Sequence, residues 1–261
     1  MWRLAEPDQN PNPTDENGIE VFHINGETHY HSLHLIQRMQ WYLDSYYQTR
    51  DSYYLDWILK YYDKLMELSI ETEDYLYFPY TFDFLLHGYE NEVMKAPWLS
   101  GMTQGVGLMI FTRLYKFTED ETYLEETHKI FNTFYMTPDK NDPWITMLDP
   151  DNYFWIEEYP DHSEPNYTLN GFIFCIYGLY EYYQLTRNED ALFILKAAIT
   201  TVEQYIKDFR VPGDVSLYCL THRVPSPKYH LIHIKQLRSL HLFTGEQYFA
   251  DMADSLYADY H

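Results

Sequence analysis

The amino-acid sequence predicts a mainly all-α fold, an (α/α)4-type barrel of four helical hairpins with short β-strands in the long loops. Long apolar helical segments alternate with amphipathic ones, and a threonine turn recurs between the two members of each pair. The connections between pairs are long and unequal, whereas the repeats of an open helical solenoid usually have short, uniform ones. An open, protein-binding solenoid is therefore the alternative architecture.

The threonine turn is a weak internal repeat that recurs every 58 to 69 residues. An acidic or amide residue follows each threonine by two positions, and in three copies Glu or Gln follows it by three. That spacing is typical of a capping box, in which the threonine and the Glu or Gln cap the start of a helix reciprocally. The four threonines are Thr49, Thr118, Thr186 and Thr244.

Each turn separates two predicted helices. The pairs cover residues 33–47 and 53–68, 102–117 and 123–134, 169–185 and 191–209, and 232–243 and 248–257. The long connections, 71–97, 137–167 and 210–227, are rich in Pro, Asp, Asn and aromatic residues, with candidate strands in 75–84 and 153–155. Short turns gather at one end of an antiparallel hairpin array. The other end therefore presents long loops and helix N-termini, whose partial positive charge can hold a carboxylate.

The charge and composition of the chain argue against several classes of binding partner. The formal net charge of −22 argues against a nucleic acid partner, since such binding depends on Lys and Arg. It also disfavours an anionic membrane or a densely sulfated chain, but allows a moderately charged glycan. The first residues lack the apolar region of a signal peptide, which predicts a cytoplasmic protein. We expect an irregular N-terminal arm over 1–28 and one catalytic domain over 29–261.

The sequence lacks the HExxH, P-loop, CxxC and GxSxG signatures. Histidines cluster near residues 29–34 and 230–241, but no acidic residue stands at a matching ligand spacing. We therefore expect hydrogen-bonding or substrate-contacting histidines and no metal site. Three loop segments, 155–160, 216–218 and 228–234, are predicted to lie on the long-loop face and are the best candidates for chemistry.

These segments carry a resemblance to a known family. Residues 155–160 (WIEEYP) with 169–172 (LNGF) resemble the EEYP…LNGF segment of the heparan and heparosan glucuronyl C5-epimerases. Residues 97–105 are similar to that family's PW-S-M-QG segment, and 229–237 to its closing YH..HI.QL segment. The resemblance covers about residues 75–258 with the segments in the same order, so together they are fairly specific.

The resemblance implies an α/α barrel of four hairpins and catalytic residues at Glu158, Tyr159, Tyr218 and Tyr229. No cofactor is expected, because the proton transfers described below need none. The stretch between Tyr218 and Tyr229 is shorter than in the animal enzymes. Animal members also have N-terminal β-rich regions that help to bind the chain and dimerise. Because a short arm stands in their place here, long-chain binding and a homodimer are left open.

The predicted function is inversion of C5 in uronic acid residues, glucuronate to iduronate, in a heparosan-like polysaccharide. This isomerase chemistry needs proton-transfer groups on both faces of the sugar ring, for which we expect Glu158 and Tyr229. Tyr159 and Tyr218 would position the substrate carboxylate or tune their neighbours. The predicted substrate contacts are Asn170, His233, Arg223, Gln104 and His230. A polysaccharide lyase and a non-catalytic glycan-binding module are the alternatives.

Overall fold

A computed structural model describes residues 4–138, 143–160 and 164–261 of the chain. The chain forms two compact units, Met1–Thr133 and Phe134–His261. Within the described residues, each unit contains two antiparallel helical hairpins; the first also has three short two-stranded sheets and the second has one. The division into an arm over 1–28 and one domain over 29–261 stays a prediction.

The first unit has two helical hairpins and three short β-hairpins. Its helices are α1 (Ser32–Thr49), α2 (Ser52–Leu68), α3 (Gly101–Thr118) and α4 (Glu121–Asn132). Its strand pairs are β1 (Phe22–Ile24) with β2 (Glu27–His29), β3 (Ile70–Glu71) with β4 (Leu76–Tyr77), and β5 (Phe84–Leu85) with β6 (Val93–Met94). Helix α3 is buried along most of its length and packs against α1.

The second unit repeats this plan with one β-hairpin. Strands β7 (Thr146–Leu148) and β8 (Phe154–Ile156) pair antiparallel with Thr146 opposite Ile156. The helices are α5 (Leu169–Thr186), α6 (Glu189–Phe209), α7 (Pro227–Thr244) and α8 (Gln247–Asp259). Helix α5 is more apolar than α3 and has a somewhat smaller buried share, and it packs against α6, α7 and β8.

The threonine turns are present, but the predicted capping boxes are wrong. Each threonine is the last residue of the first helix, where its hydroxyl donates to the carbonyl four residues back. The next residue is left-handed, and the acidic or amide residue after it is the N-cap of the second helix. The threonine Oγ1 instead accepts the backbone N–H of that N-cap residue. One threonine thus links both helices of a hairpin.

Helix α7 begins five residues earlier than the sequence analysis placed it. Pro227 occupies its first turn, where the missing N–H of proline costs nothing and its fixed φ suits the helix. Residues 228–231, predicted to lie in the loop before this helix, are therefore helical. This correction puts Tyr229 and His230 on the same rigid element as His233.

For the part of the chain that the structure describes, the mainly α-helical fold of four hairpins with short strands in the long loops is confirmed. Strands β4, β5 and β8 lie in or at the edge of the predicted strand segments. Among the described residues, no helix combines the length and the apolar character that a membrane crossing requires.

Candidate active site

The first candidate residue, Glu158, lies just beyond the end of strand β8. The ladder of the β7–β8 hairpin continues through Glu157, whose N–H donates to the Ile145 carbonyl at 2.8 Å. The chain then bends away from the sheet at Glu158 and Tyr159. Strand β8 packs on α5 and α6, so this bend is held against the start of α5.

The carboxyl of Glu158 lies against the N-terminus of α5. The N-cap residue of α5, Thr168, makes no side-chain capping bond. Oε2 of Glu158 is so close to Gly171, in the first turn, that a Cβ there would stand 2.2 Å from it. Glu158 thus approaches an end of a helix where N–H groups lack intrahelical partners and the helix dipole favours negative charge.

Tyr159 and Tyr218 hold the same carboxyl. Their hydroxyls lie close enough to Glu158 to lower its pKa, and the two hydroxyl oxygens lie 3.2 Å apart. Tyr218 comes from the connection between α6 and α7. Its N–H donates to the Val224 carbonyl at 2.7 Å, and its carbonyl accepts the N–H of Leu169 at 3.1 Å. These bonds fix Tyr218 beside the first turn of α5.

Tyr229 completes the group from the first turn of α7. Its ring lies 4.5 Å from that of Tyr218, centroid to centroid, and the Tyr218 hydroxyl lies close enough to lower the pKa of Tyr229. The structure therefore brings together all four residues for which a catalytic role was predicted. They come from the end of β8, the α6–α7 connection and helix α7.

Burial controls the protonation of this group. It raises the pKa of Glu158 to about 7, against the lowering effect of hydrogen bonds from Tyr159, Tyr218 and the Gly171 N–H. Burial, and then the charge of Glu158, raises the pKa of Tyr229 and holds the pKa of Tyr218 well above its ordinary value. Near neutral pH the site therefore has a carboxyl that can gain or lose a proton and two phenols that stay protonated.

Two histidines of α7 lie behind the tyrosines and meet at Ser216. Nδ1 of His230 accepts the Ser216 N–H at 2.8 Å, and its Nε2 lies 3.0 Å from the carbonyls of Leu256 and Tyr260. Nδ1 of His233 lies 2.8 Å from the Ser216 hydroxyl. Burial lowers the pKa of His233 to about 3, so its ring is neutral. Both rings are wholly buried, and His230 ties α7 to the end of α8.

The other residues for which substrate contact was predicted differ in their burial and in their hydrogen bonds. Asn170 is buried in the first turn of α5, and its carbonyl accepts from the Gln236 side chain at 2.8 Å. Arg223 is exposed, with a left-handed φ of 51°. Gln104 is wholly buried in the other unit, where its amide bonds to the backbone of Phe78 and Leu76. Substrate binding by these residues and by His230 and His233 stays a prediction.

Two residues of the site were not singled out from the sequence. Gly171 leaves the space that the Glu158 carboxyl occupies. Glu157 is wholly buried, and its carboxylate accepts the N–H groups of Asn166 and Tyr167. The available signals were a glycine in the third position of an apolar helix and a pair of adjacent glutamates. Neither signal indicates which residue it would contact in the folded chain.

The chain matches a family model along most of its length. The family is described as the D-glucuronyl C5-epimerase C-terminus, and residues 72–257 are matched. The D-glucuronyl C5-epimerase of Caenorhabditis elegans is 26% identical over 165 residues, which cover 56% of this chain and 26% of that enzyme. An uncharacterized protein of Methanocaldococcus jannaschii is 26% identical over 206 residues, 77% of this chain and 64% of the relative.

Solved structures share the fold. Cellobiose 2-epimerase from Bacillus thermoamylovorans superimposes with a TM-score of 0.61 at 12% identity, over 87% of this chain and 60% of that one. This likeness confirms the predicted fold class of the (α/α)-barrel type. The chain spans less than two thirds of the length of each of these three proteins.

Proposed function

Because this chain belongs to the D-glucuronyl C5-epimerase C-terminal family, a family of carbohydrate epimerases, we propose that it inverts C5 of uronic acid residues in a polysaccharide. The observation that carries the proposal is the convergence of Glu158, Tyr159, Tyr218 and Tyr229 at the N-terminus of α5. The substrate class is a heparosan-like chain in which glucuronate becomes iduronate.

The contacts within the group support the assignment of the opposed pair. The hydroxyl of Tyr218 lies close enough to both Glu158 and Tyr229 to affect their pKa values, and the charge of Glu158 raises the pKa of Tyr229. A carbon that exchanges protons with groups on opposite faces needs each of them at about 3 Å. Inversion by this pair therefore requires that Glu158 and Tyr229 flank C5 of one sugar ring.

In the proposed reaction the Glu158 carboxylate takes the proton from C5. The electrons of the C–H bond move toward the neighbouring carboxylate carbon, so that negative charge gathers on its oxygens. The Tyr229 hydroxyl then delivers its proton to the opposite face of C5, which inverts the centre and leaves a phenolate. Glu158 then loses its proton to solvent, and the Tyr229 phenolate gains a proton from solvent, which restores the starting state.

The protonation of the site fits these roles. A carboxyl with a pKa near 7 is a stronger base than an ordinary glutamate and is still ionised in a useful fraction at neutral pH. A phenol with a raised pKa is protonated before the reaction, as the acid of the second step requires. The N-terminus of α5 and the hydroxyls of Tyr159 and Tyr218 can stabilise the charge that develops on the substrate carboxylate.

Incubation of heparosan-type chains in deuterated water tests the proposal. We expect deuterium at C5 together with the signals of the inverted uronate by NMR, and no rise in ultraviolet absorbance. An unsaturated, ultraviolet-absorbing product would instead identify a lyase, which follows the same first step with loss of the C4 substituent. Binding without any exchange at C5 would identify a glycan-binding module. The variant Glu158→Gln is the control for contaminating activity.

A further inference from the structure

A second buried carboxyl, that of Glu157, directly precedes the proposed base. Its side chain is wholly buried, and no described Lys or Arg forms an ion pair with it. A buried carboxylate without a cation is costly unless hydrogen bonds satisfy it. Packing of apolar side chains alone therefore does not explain why the Glu157 carboxyl is buried here.

Glu157 fixes the chain that leads into α5. Its Oε2 accepts the Asn166 N–H at 3.0 Å, and the Tyr167 N–H lies 3.1 Å from Oε1 and 3.3 Å from Oε2. Tyr167 has a left-handed φ of 54°, which is unfavourable for a bulky residue and needs support from its surroundings. The next residue, Thr168, is the N-cap of α5. Glu157 thus sets where the first turn of α5 begins.

The two adjacent carboxyls have different partners. Glu158 is surrounded by the hydroxyls of Tyr159, Tyr218 and Tyr229 and by the Gly171 N–H. Glu157 is surrounded by the Asn166 and Tyr167 N–H groups, with the Cys219 thiol near enough to be affected by its charge. Burial, opposed by the two N–H bonds, raises the pKa of Glu157 to about 7, and the charge of Glu158 adds to this rise.

We propose that Glu157 is a positioning residue for the catalytic base: it holds the turn that leads into α5 and so places the first turn of α5, where Gly171 meets the Glu158 carboxyl. This inference rests on the role proposed for Glu158. It assigns to the pair of glutamates two separate tasks, one carboxyl that exchanges protons with substrate and one that does not touch it.

The test compares Glu157→Asp with Glu157→Gln. Glu157→Asp shortens the reach to Asn166 and Tyr167, whereas Glu157→Gln keeps the length of the side chain and one acceptor oxygen. We expect kcat for C5 exchange to fall about tenfold in Glu157→Asp with KM unchanged, and to fall less in Glu157→Gln. Glu126→Gln, which removes a buried carboxyl of the other unit, is the matched control and should leave kcat and KM unchanged.

Amide hydrogen exchange of Asn166 and Tyr167 reports directly on the hold that Glu157 has on this turn. We expect it to be faster in Glu157→Asp than in the wild type. Full kcat in folded Glu157→Asp overturns the inference, as does unchanged exchange of these two amides. If Glu157→Asp does not fold, full kcat with unchanged amide exchange in Glu157→Gln overturns it. Because the amide measurement needs no turnover, absence of C5 exchange in the wild type would refute the proposed function separately.

Discussion

Each unit of the molecule buries a glutamate against a tyrosine hydroxyl. In the first unit, Tyr62 of α2 donates to Oε1 of Glu126 in α4 at 2.5 Å. In the second, Tyr159 and Tyr218 hold Glu158. Burial raises the pKa of both carboxyls to about 7, and the second oxygen of each makes no well-formed hydrogen bond within the described part of the chain.

The two glutamates differ in their structural context. Glu126 lies within a helix and meets one tyrosine of a neighbouring helix, an arrangement that an ordinary helix–helix contact provides. Glu158 lies at the N-terminus of a helix, where residues from three separate segments converge. A raised carboxyl pKa is therefore a poor marker of a catalytic site when taken alone. Convergence at a helix end is the stronger signal, and the predictions below test that distinction.

The largest expected difference is between Glu158→Gln and Glu126→Gln. The first removes the proposed base, and we expect C5 exchange to fall about 10²–10⁴-fold, the usual contribution of a positioned acid or base. The second should leave the rate within about twofold of wild type, because distant sites act independently. Deuterium incorporation at C5, followed by NMR, measures both. Equal losses in the two variants would mean that both act through stability.

A second pair of variants compares helix glycines. A Cβ at Gly171 would stand 2.2 Å from Oε2 of Glu158, and a Cβ at Gly107 of α3 would stand 2.6 Å from Cε2 of Phe78. We expect both alanine variants to lose about 1–3 kcal/mol of unfolding free energy. Gly171→Ala should also lower kcat about 10- to 100-fold, since it displaces the carboxyl.

Urea unfolding combined with the C5 exchange assay separates these effects. Gly107→Ala is the control for a crowded helix without a catalytic neighbour, and its kcat per folded molecule should match the wild type. A Gly171→Ala enzyme of reduced stability and undiminished kcat would show that the position of the Glu158 carboxyl does not matter for catalysis.

The smallest expected effect concerns stability and is shared by both units. The pKa values of Glu126, Glu157 and Glu158 rise from an ordinary 4.5 to about 7 on folding. The folded state therefore binds more protons than the unfolded state between these values. Stability should be highest below about pH 4.5 as far as these groups are concerned, and should fall as pH rises to about 7.

We expect each group to account for about 1–3 kcal/mol of that fall. Glu126→Gln and Glu158→Gln should each flatten the dependence of unfolding free energy on pH, because each removes one titrating carboxyl. Urea denaturation at several pH values between 5 and 8 measures the slope. A slope unchanged by either variant would argue against shifted carboxyls in both units.

The helices could be predicted from the sequence because their periodicity and the threonine turns are local signals. The start of α7 was missed, although Pro227 is a recognised signal for a first helical turn, since the flanking segment reads as a Pro-rich loop. The capping arrangement was also missed. The residue two places after the threonine is itself a good cap, and sequence spacing alone does not choose between two overlapping caps.

The site could be predicted in part. Resemblance to a family identified Glu158, Tyr159, Tyr218 and Tyr229, but their contacts depend on folding, because Tyr218 lies 59 positions from the Tyr159 it touches. The role of His230 depends on carbonyls at the end of α8, and that of Glu157 on a turn nine and ten residues away. No local pattern specifies such partners. The sequence therefore identified the residues of the site more reliably than it identified the groups that each residue contacts.

The most direct test of the opposed pair is Tyr229→Phe, which removes one hydroxyl and keeps the ring that packs on Tyr218. Wild-type protein and variant would be incubated with a heparosan-type chain in deuterated water, and C5 deuterium and configuration would be read together by NMR. We expect inversion to fall at least about 100-fold, while exchange with retained configuration persists through Glu158. A folded variant that inverts C5 with deuterium incorporation at the wild-type rate would contradict the account, because Tyr229 would then be a packing residue.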